Sequence, residues 1–204
     1  MGKSDVNAVT ITADTVALDA DGISVAASVG NNAALTIGGA LADGGAVALS
    51  HGRIVTILSA GNDAGISFTV VGTDVNGDAQ TESITGANAG TATGTVFFKT
   101  IASITAVGNP AGNVSAGVNT SAADVVFAGR SRLKGIYLTS TATAGTVDFL
   151  NTSPSGTSIM GLSSVGDADA TRDVVIPEEG VVFNDGIYIE YTVSTFLTMT
   201  VFHA

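Results

Sequence analysis

Acidic side chains at alternate positions are the first candidates for chemistry in this chain, and the clearest run is Asp74-Val75-Asn76-Gly77-Asp78. Alternating carboxylate and amide oxygens are what a calcium ion takes as ligands, but an EF-hand loop beginning at Asp74 needs glycine at its sixth position and glutamate at its twelfth. Those positions hold Ala79 and Thr85. The run reads instead as the turn of a β-hairpin, a type I′ turn about Asn76-Gly77 between the alternating strands of FTVVGTDVNGDAQTESITG, Phe68 to Gly86. The same two readings, calcium or turn, apply to Asp19 with Asp21 and to Asp167 with Asp169. Exposed Asp-rich loops ordinarily cap turns, so no metal ligand is assigned.

The two histidines, His51 and His203, stand far apart in a chain without cysteine, and neither belongs to an HxxxH or HExxH pattern. A zinc site within one chain is therefore not expected. A Ser-His-Asp triad has abundant Ser and Asp to draw on, yet no GxSxG elbow marks a nucleophile. Gly38-Gly39 and Gly44-Gly45 lack the Lys-Ser/Thr and helix of a phosphate-binding loop and read as turns. A hydrolase on a β scaffold would need carboxylates that converge, and spacing does not bring Glu82, Glu178, Glu179 and Glu190 together. Tyr188 alternates away from Ile187 and Ile189 and is the candidate exposed aromatic of a carbohydrate-binding module. With three Tyr and no Trp, sugar platforms are scarce. The expectation is a protein that is not an enzyme, with no catalytic, cofactor-binding or metal residues and no cofactor.

The elements that would position such groups are all strands. Val9-Thr10-Ile11-Thr12 and Leu35-Thr36-Ile37 are short alternations in an otherwise Ala-, Gly- and Asp-rich stretch from residue 1 to 50, which reads as an extended N-terminal arm. Stronger strand signals follow at Arg53 to Ser59, Ile66 to Asp74, Ala79 to Thr85, Thr95 to Val107, Asn113 to Val118 and Ala123 to Phe127. A third set runs from Leu133 to His203, with hairpin chemistry at Asn184-Asp185-Gly186. Ala-rich stretches are broken by Gly and Thr too often to nucleate a helix. The expected fold is all-β: an arm over 1–50, then two small antiparallel β-sandwich or jelly-roll-like domains over 51–129 and 130–204.

Composition narrows the partners. Only 12% of the 204 residues are charged, the formal charge is −11, and Lys and Arg number seven. Phosphate neutralisation requires basic clusters, so nucleic acid is not an expected partner. The one concentration, Arg130, Arg132 and Lys134, reads as a solvated linker or an ion pair to a neighbouring acidic subunit. Small apolar side chains give a thin core, which oligomerisation or docking on a larger assembly would supplement. The N-terminus MGKSDVNAVT has no apolar core of signal-peptide length, no segment reaches 18 uninterrupted apolar residues, and a membrane is not an expected partner. Gly2 fits a myristoylation site except that position 6 is Val rather than Ser or Thr. The chain is expected to be made and left in a cytoplasm.

The run HGRIVTILSAGNDAGISFTVVGTDVNGDAQTESITG, then TGTVFFKTIASITAVG and AGNVSAGV, resembles a module of tailed-bacteriophage virion structural proteins, in which a GTDxxGxxxTExITG hairpin precedes an FKTIxSI strand and a closing VxxGV. Residues 51 to 118 carry that pattern. LKGIYLTSTATAGTVDFLN, IPEEGVVFNDGIYIEYT and the terminal TVFH are similar to small β-domains of the same class. Together the matches cover about two thirds of the chain; the first 50 residues match no such module. The resemblance, closest to capsid decoration or cement proteins, implies a non-enzymatic virion component. Its implied partners are the major capsid protein and copies of itself. A tail, connector or short-fibre component, or a receptor-binding β-module, is the alternative.

Overall fold

The computed structural model describes residues 5–204; Gly2, the myristoylation position considered above, and the rest of the first four residues lie outside them. Among the described residues every regular element is a β-strand. Thr, Val and Ile fit a pleated, half-buried surface, and the recurring glycines stop any helical run. In chain order the strands begin with β1 (Asn7–Thr12), β2 (Asp19–Ser28), β3 (Ala42–Asp43), β4 (Ala46–Ser59) and β5 (Ser67–Thr73). They continue with β6 (Ala79–Thr85), β7 (Thr91–Val107), β8 (Asn113–Phe127), β9 (Ser131–Ser140) and β10 (Ala144–Asn151). The last five are β11 (Thr157–Val165), β12 (Thr171–Val175), β13 (Val181–Phe183), β14 (Ile187–Thr192) and β15 (Phe196–His203).

The chain divides into two compact units, one of Val16–Thr120 and one that joins the residues up to Thr15 to Ser121–Ala204. This corrects the expected partition into 1–50, 51–129 and 130–204. Residues 5–50 are not a separate arm: β1 pairs with β15 in one unit, and β2 pairs with β8 in the other. Ile23, Val29, Leu35 and Val47 are all buried in a core. Their small neighbours misled the reading because this segment packs by backbone approach. A Cβ on Gly117 would stand 1.8 Å from the Asp19 carbonyl oxygen, a contact that only glycine permits.

Within Val16–Thr120 the strand order is β2-β8-β4-β7-β5-β6, with β3 beside β4. Phe68, Val70, Val55, Ile57, Phe98, Ile101 and Ile104 are packed in its core. Phe68 and Val70 share the inward face of β5 as alternation predicts. β5 and β6 pair antiparallel from Ser67↔Thr85 to Thr73↔Ala79, which is the hairpin read from the sequence. Its turn differs. Asp74 N–H donates to the Asp78 carbonyl at 2.9 Å and Gly77 N–H to the Asp74 carbonyl at 3.1 Å, closing a three-residue loop in which Gly77 alone has a positive φ, 89°. The Asp74 carboxylate accepts the N–H groups of Asn76 (2.8 Å) and Asp78 (2.9 Å), and these bonds keep Asn76 out of the left-handed region that a type I′ turn requires. The two-residue turn with both residues left-handed occurs instead at Gly44-Gly45, φ 61° and 85°, between β3 and β4.

The other unit is a sandwich of two antiparallel sheets. One has the order β1-β15-β9-β12 with β13 also on β9; the other is β11-β10-β14 followed by the 121–127 part of β8. Ile136, Leu138, Val147, Phe149, Ile187, Ile189, Tyr191, Met199 and Val201 fill the space between them. Val147 with Phe149, and Ile187, Ile189, Tyr191 and Val193, alternate along their strands and are buried. The expected Asn113 to Val118 and Ala123 to Phe127 strands are one strand, β8.

Replacing Gly77 by Val is expected to destabilise the protein by roughly 1 to 3 kcal/mol, because nothing crowds the site and the cost is the left-handed backbone itself. Gly77→Asn, which tolerates that conformation, is expected to cost less than half as much. Chemical denaturation of the two variants beside the parent measures both; equal costs would place the constraint elsewhere.

Candidate functional site

Three polar clusters stand out among the described residues, each held by backbone geometry. In the sandwich unit the Tyr191 hydroxyl projects from β14 into the core, donates to Asp124 Oδ2 at 3.2 Å and accepts the Asp14 N–H at 3.1 Å. Burial, with the neighbouring Asp124 charge, holds the phenol far above its ordinary range, so it stays a neutral donor. The Tyr191 ring also packs on Phe196 at a centroid distance of 4.9 Å.

The second cluster brings a serine to a histidine. Ser131 Oγ lies 3.0 Å from His203 Nδ1 and donates to the Ala204 carbonyl at 3.1 Å. A serine hydroxyl has one hydrogen, and when it goes to that carbonyl the oxygen accepts from the imidazole, the tautomer in which Nδ1 carries the proton. This is the reverse of the arrangement that activates a serine, in which the ring accepts the hydroxyl proton. His203 is 5% exposed and its ring lies 5.1 Å from that of Phe127. Burial pushes its pKa below the ordinary 6.5. His51 sits on β4, in the other unit.

The third cluster is a pair of carboxylates that spacing did not connect. Asp148 on β10 and Glu190 on β14 are direct cross-strand partners, and burial and then the Asp148 charge raise the Glu190 pKa. Ser158 Oγ donates to Asp148 Oδ1 at 3.1 Å. Glu178 and Glu179 lie in the loop before β13, where their backbone carbonyls accept from Lys134 Nζ (2.8 Å) and Arg132 Nη1 (3.3 Å). The basic concentration is thus not a linker: Arg132 and Lys134 belong to β9 and tie down that loop. Glu82, on β6, accepts from Thr95 N–H at 2.6 Å and Thr95 Oγ1 at 2.9 Å.

Of the remaining acidic candidates, Asp19 and Asp21 lie at the start of β2, and Asp167 and Asp169 lie in a turn after β11. Asp21 N–H donates to Asp19 Oδ1 at 3.3 Å; the Asp167 carbonyl accepts from Ala170 N–H at 3.2 Å, and Asp169 has a φ of 62°. No group of three or more His, Asp or Glu side chains placed to hold a metal occurs among the described residues. Tyr188 is corrected: it is 4% exposed, paired across the ladder with Leu150, also buried, and close to Gly186. It presents no platform to a sugar. Arg53, unmarked in the sequence beyond its place in an apolar strand, is 1% exposed and donates to the carbonyls of Val16 and Asn119. A groove of about 280 Å³ lies along β3, β4 and β7, lined by Asp43, Ala46, Val47, Thr100 and Ile101. Asp43 is its one ionisable side chain, so it offers apolar contact rather than acid–base chemistry.

No family model matches the chain, and no curated protein matches it. Among solved structures it is similar to the major capsid protein P2 from Bacteriophage PM2, at 10% identity and a TM-score of 0.24, with 96% of each chain covered. At that score the function has to be argued from the chain's own residues.

The buried imidazole sets a pH dependence. Because the folded protein holds His203 below its unfolded pKa, the unfolded chain takes up the proton first as pH falls. The stability contributed by the neutral ring is complete above about pH 6.5 and declines as pH drops through that value toward the depressed folded pKa. Glu190 acts with the opposite sign, since a raised carboxyl pKa favours the folded state as pH falls toward 4.5. His203→Gln is therefore expected to flatten the melting temperature between about pH 5 and 6.5. An unchanged slope would mean the ring is solvated.

Proposed function

We propose that this chain is a non-enzymatic structural protein of a tailed-phage virion that decorates or cements the capsid exterior, binding adjacent capsid subunits and copies of itself. The observation that carries the proposal is the phage-like motif of residues 51 to 118. Its GTDxxGxxxTExITG element falls on the β5–β6 hairpin, FKTIxSI on β7 and VxxGV on β8, three parts of one hydrogen-bonded sheet. The motif therefore describes a folding module, and a folding module shared with virion proteins supports a structural role.

The polar chemistry supports the same reading. Ser131, His203, Tyr191 and Asp124 bond to one another or to the main chain, in geometry that holds strands together. Buried Tyr188 removes the one aromatic that favoured a carbohydrate-binding module. A chain with few charges would meet its partner through backbone and apolar contacts, which screening by salt affects little.

Purified protein added to particles that lack it is expected to bind the shell saturably, with an affinity that changes less than about threefold between about 0.05 and 0.5 M salt. Electron microscopy of the labelled particles locates it. Label confined to the tail would replace the decoration reading by the tail or connector one, and a steep salt dependence would point to charge-driven docking.

A further inference from the structure

The strands that end a sheet are where a β protein meets other chains, because each carries a row of backbone groups without a partner. In the sandwich unit β12 ends its sheet with two charged residues, Arg172 and Asp173, and β11 has its Ser163 carbonyl covered by the Arg172 guanidinium. In the other unit β6 turns Gln80 and Glu82 onto the Phe97 carbonyl and the Thr95 N–H of β7. β1 has none of these devices. From Val6 to Ala13 it carries no charge, proline or glycine, and its pairing with β15 has no register shift.

The direction of its free groups follows from the ladder. Ala13 N–H donates to the Leu197 carbonyl, in line with the register that runs from Asn7↔His203 to Thr12↔Thr198. Since hydrogen-bonded pairs alternate along antiparallel strands, residues 7, 9, 11 and 13 face β15, and Ala8, Thr10 and Thr12 aim their N–H and C=O away from it. The Thr10 and Thr200 hydroxyls meet at 2.9 Å, the close side-chain approach of a non-hydrogen-bonded pair. Ala8, Thr10 and Thr12 are all exposed, and Val9 is only half-buried.

We propose that β1 pairs antiparallel with β1 of a second copy about a two-fold axis centred on Thr10. This deepens the copies-of-itself part of the reading above and does not depend on the capsid part. Opposing residues must point to the same face, so the register has to match even with even numbers. Centring on Thr10 puts Thr10 opposite Thr10 and Ala8 opposite Thr12, and uses all three outward-facing residues of each copy for about six backbone hydrogen bonds. Val9 then lies opposite Ile11 of the second copy, which extends the apolar inner face. Charge favours the same register. Asp5 falls opposite Thr15 and Asp14 opposite Val6, so that two chains of charge −11 meet along a neutral strand without facing carboxylates.

The chain has no cysteine, so a single introduced thiol reports the geometry. In the full-length protein Thr10→Cys is expected to form a disulfide-linked dimer under mild oxidation, since paired Cα atoms about 5.5 Å apart lie within disulfide reach. Thr12→Cys, whose two copies would be about 14 Å apart, is expected not to. Thr10→Pro removes an N–H that β15 does not use, and should weaken the dimer at least about tenfold in analytical ultracentrifugation with little change in melting temperature. If that variant melts early, Thr10→Lys, a charge on the edge, gives the same reading without the ring constraint. A parent protein that stays monomeric at about 100 μM, equal cross-linking at both cysteine positions, or full dimerisation of both Thr10→Pro and Thr10→Lys would overturn the proposal. Loss of particle binding by a protein that still dimerises would count against the capsid reading alone.

Discussion

The ladder between β4 and β7 is the interaction on which the unit Val16–Thr120 depends. β7 is the longest strand; its first part pairs with β4 from Val47↔Ile101 to Leu58↔Thr91, and its second part pairs with β5 from Thr73↔Thr100 to Ser67↔Val107. A chain with no helix must satisfy its main-chain donors and acceptors between strands, so a strand that serves two partners sets the course of the sheet. Where β6 comes beside the first part of β7, side chains complete the ladder: Gln80 Nε2 donates to the Phe97 carbonyl at 2.9 Å and Glu82 accepts from Thr95. Gly94 makes this possible, since a Cβ there would lie 2.4 Å from Glu82 Oε2.

With few large side chains, backbone contact and buried polar groups carry much of the specificity. Arg53 is the clearest case: a guanidinium in the interior of its unit holds the carbonyls of Val16 and Asn119, fixing where the chain enters β2 and how β8 continues. Burying that charge is costly, and donation to carbonyl dipoles offsets the cost. The Asp63 carboxylate does similar work, accepting the Ala111 N–H at 2.7 Å between two loops. Each is a group that chemistry alone would list as a candidate ligand or catalyst, and each is committed to the fold.

The polar clusters and the unguarded edge strand bear on the same question. Ser131, His203, Tyr191 and Arg53 bond within the fold, whereas Ala8, Thr10 and Thr12 of β1 offer an ordered row of main-chain groups on the side away from β15. Affinity from main-chain bonds is insensitive to side-chain identity and to salt, which suits repeated copies of one subunit in an assembly.

Alternation and turn chemistry made much of the fold legible in the sequence. The β5–β6 hairpin and the run of strands between Leu133 and His203 were expected where they occur, because one buried face imposes a period of two that survives without any knowledge of the partner strand. Absent from the sequence was whatever depends on what lies across the space. Residues 1–50 read as an arm, and burial by backbone approach, as at Gly117, leaves no apolar signature to show otherwise. The turn at Asn76-Gly77 took its form from the Asp74 carboxylate, and Tyr188 lies buried beside Leu150 on the face that alternation alone would leave to solvent. The same limit holds for the candidate sites: Ser131 with His203, and Asp148 with Glu190, became neighbours through pairings 72 and 42 positions apart in the chain, as their numbers give. Local propensity acts through adjacent residues and so can be read along the chain, whereas which strands meet, and which charges they bring together, is decided only by the packing of the whole sheet.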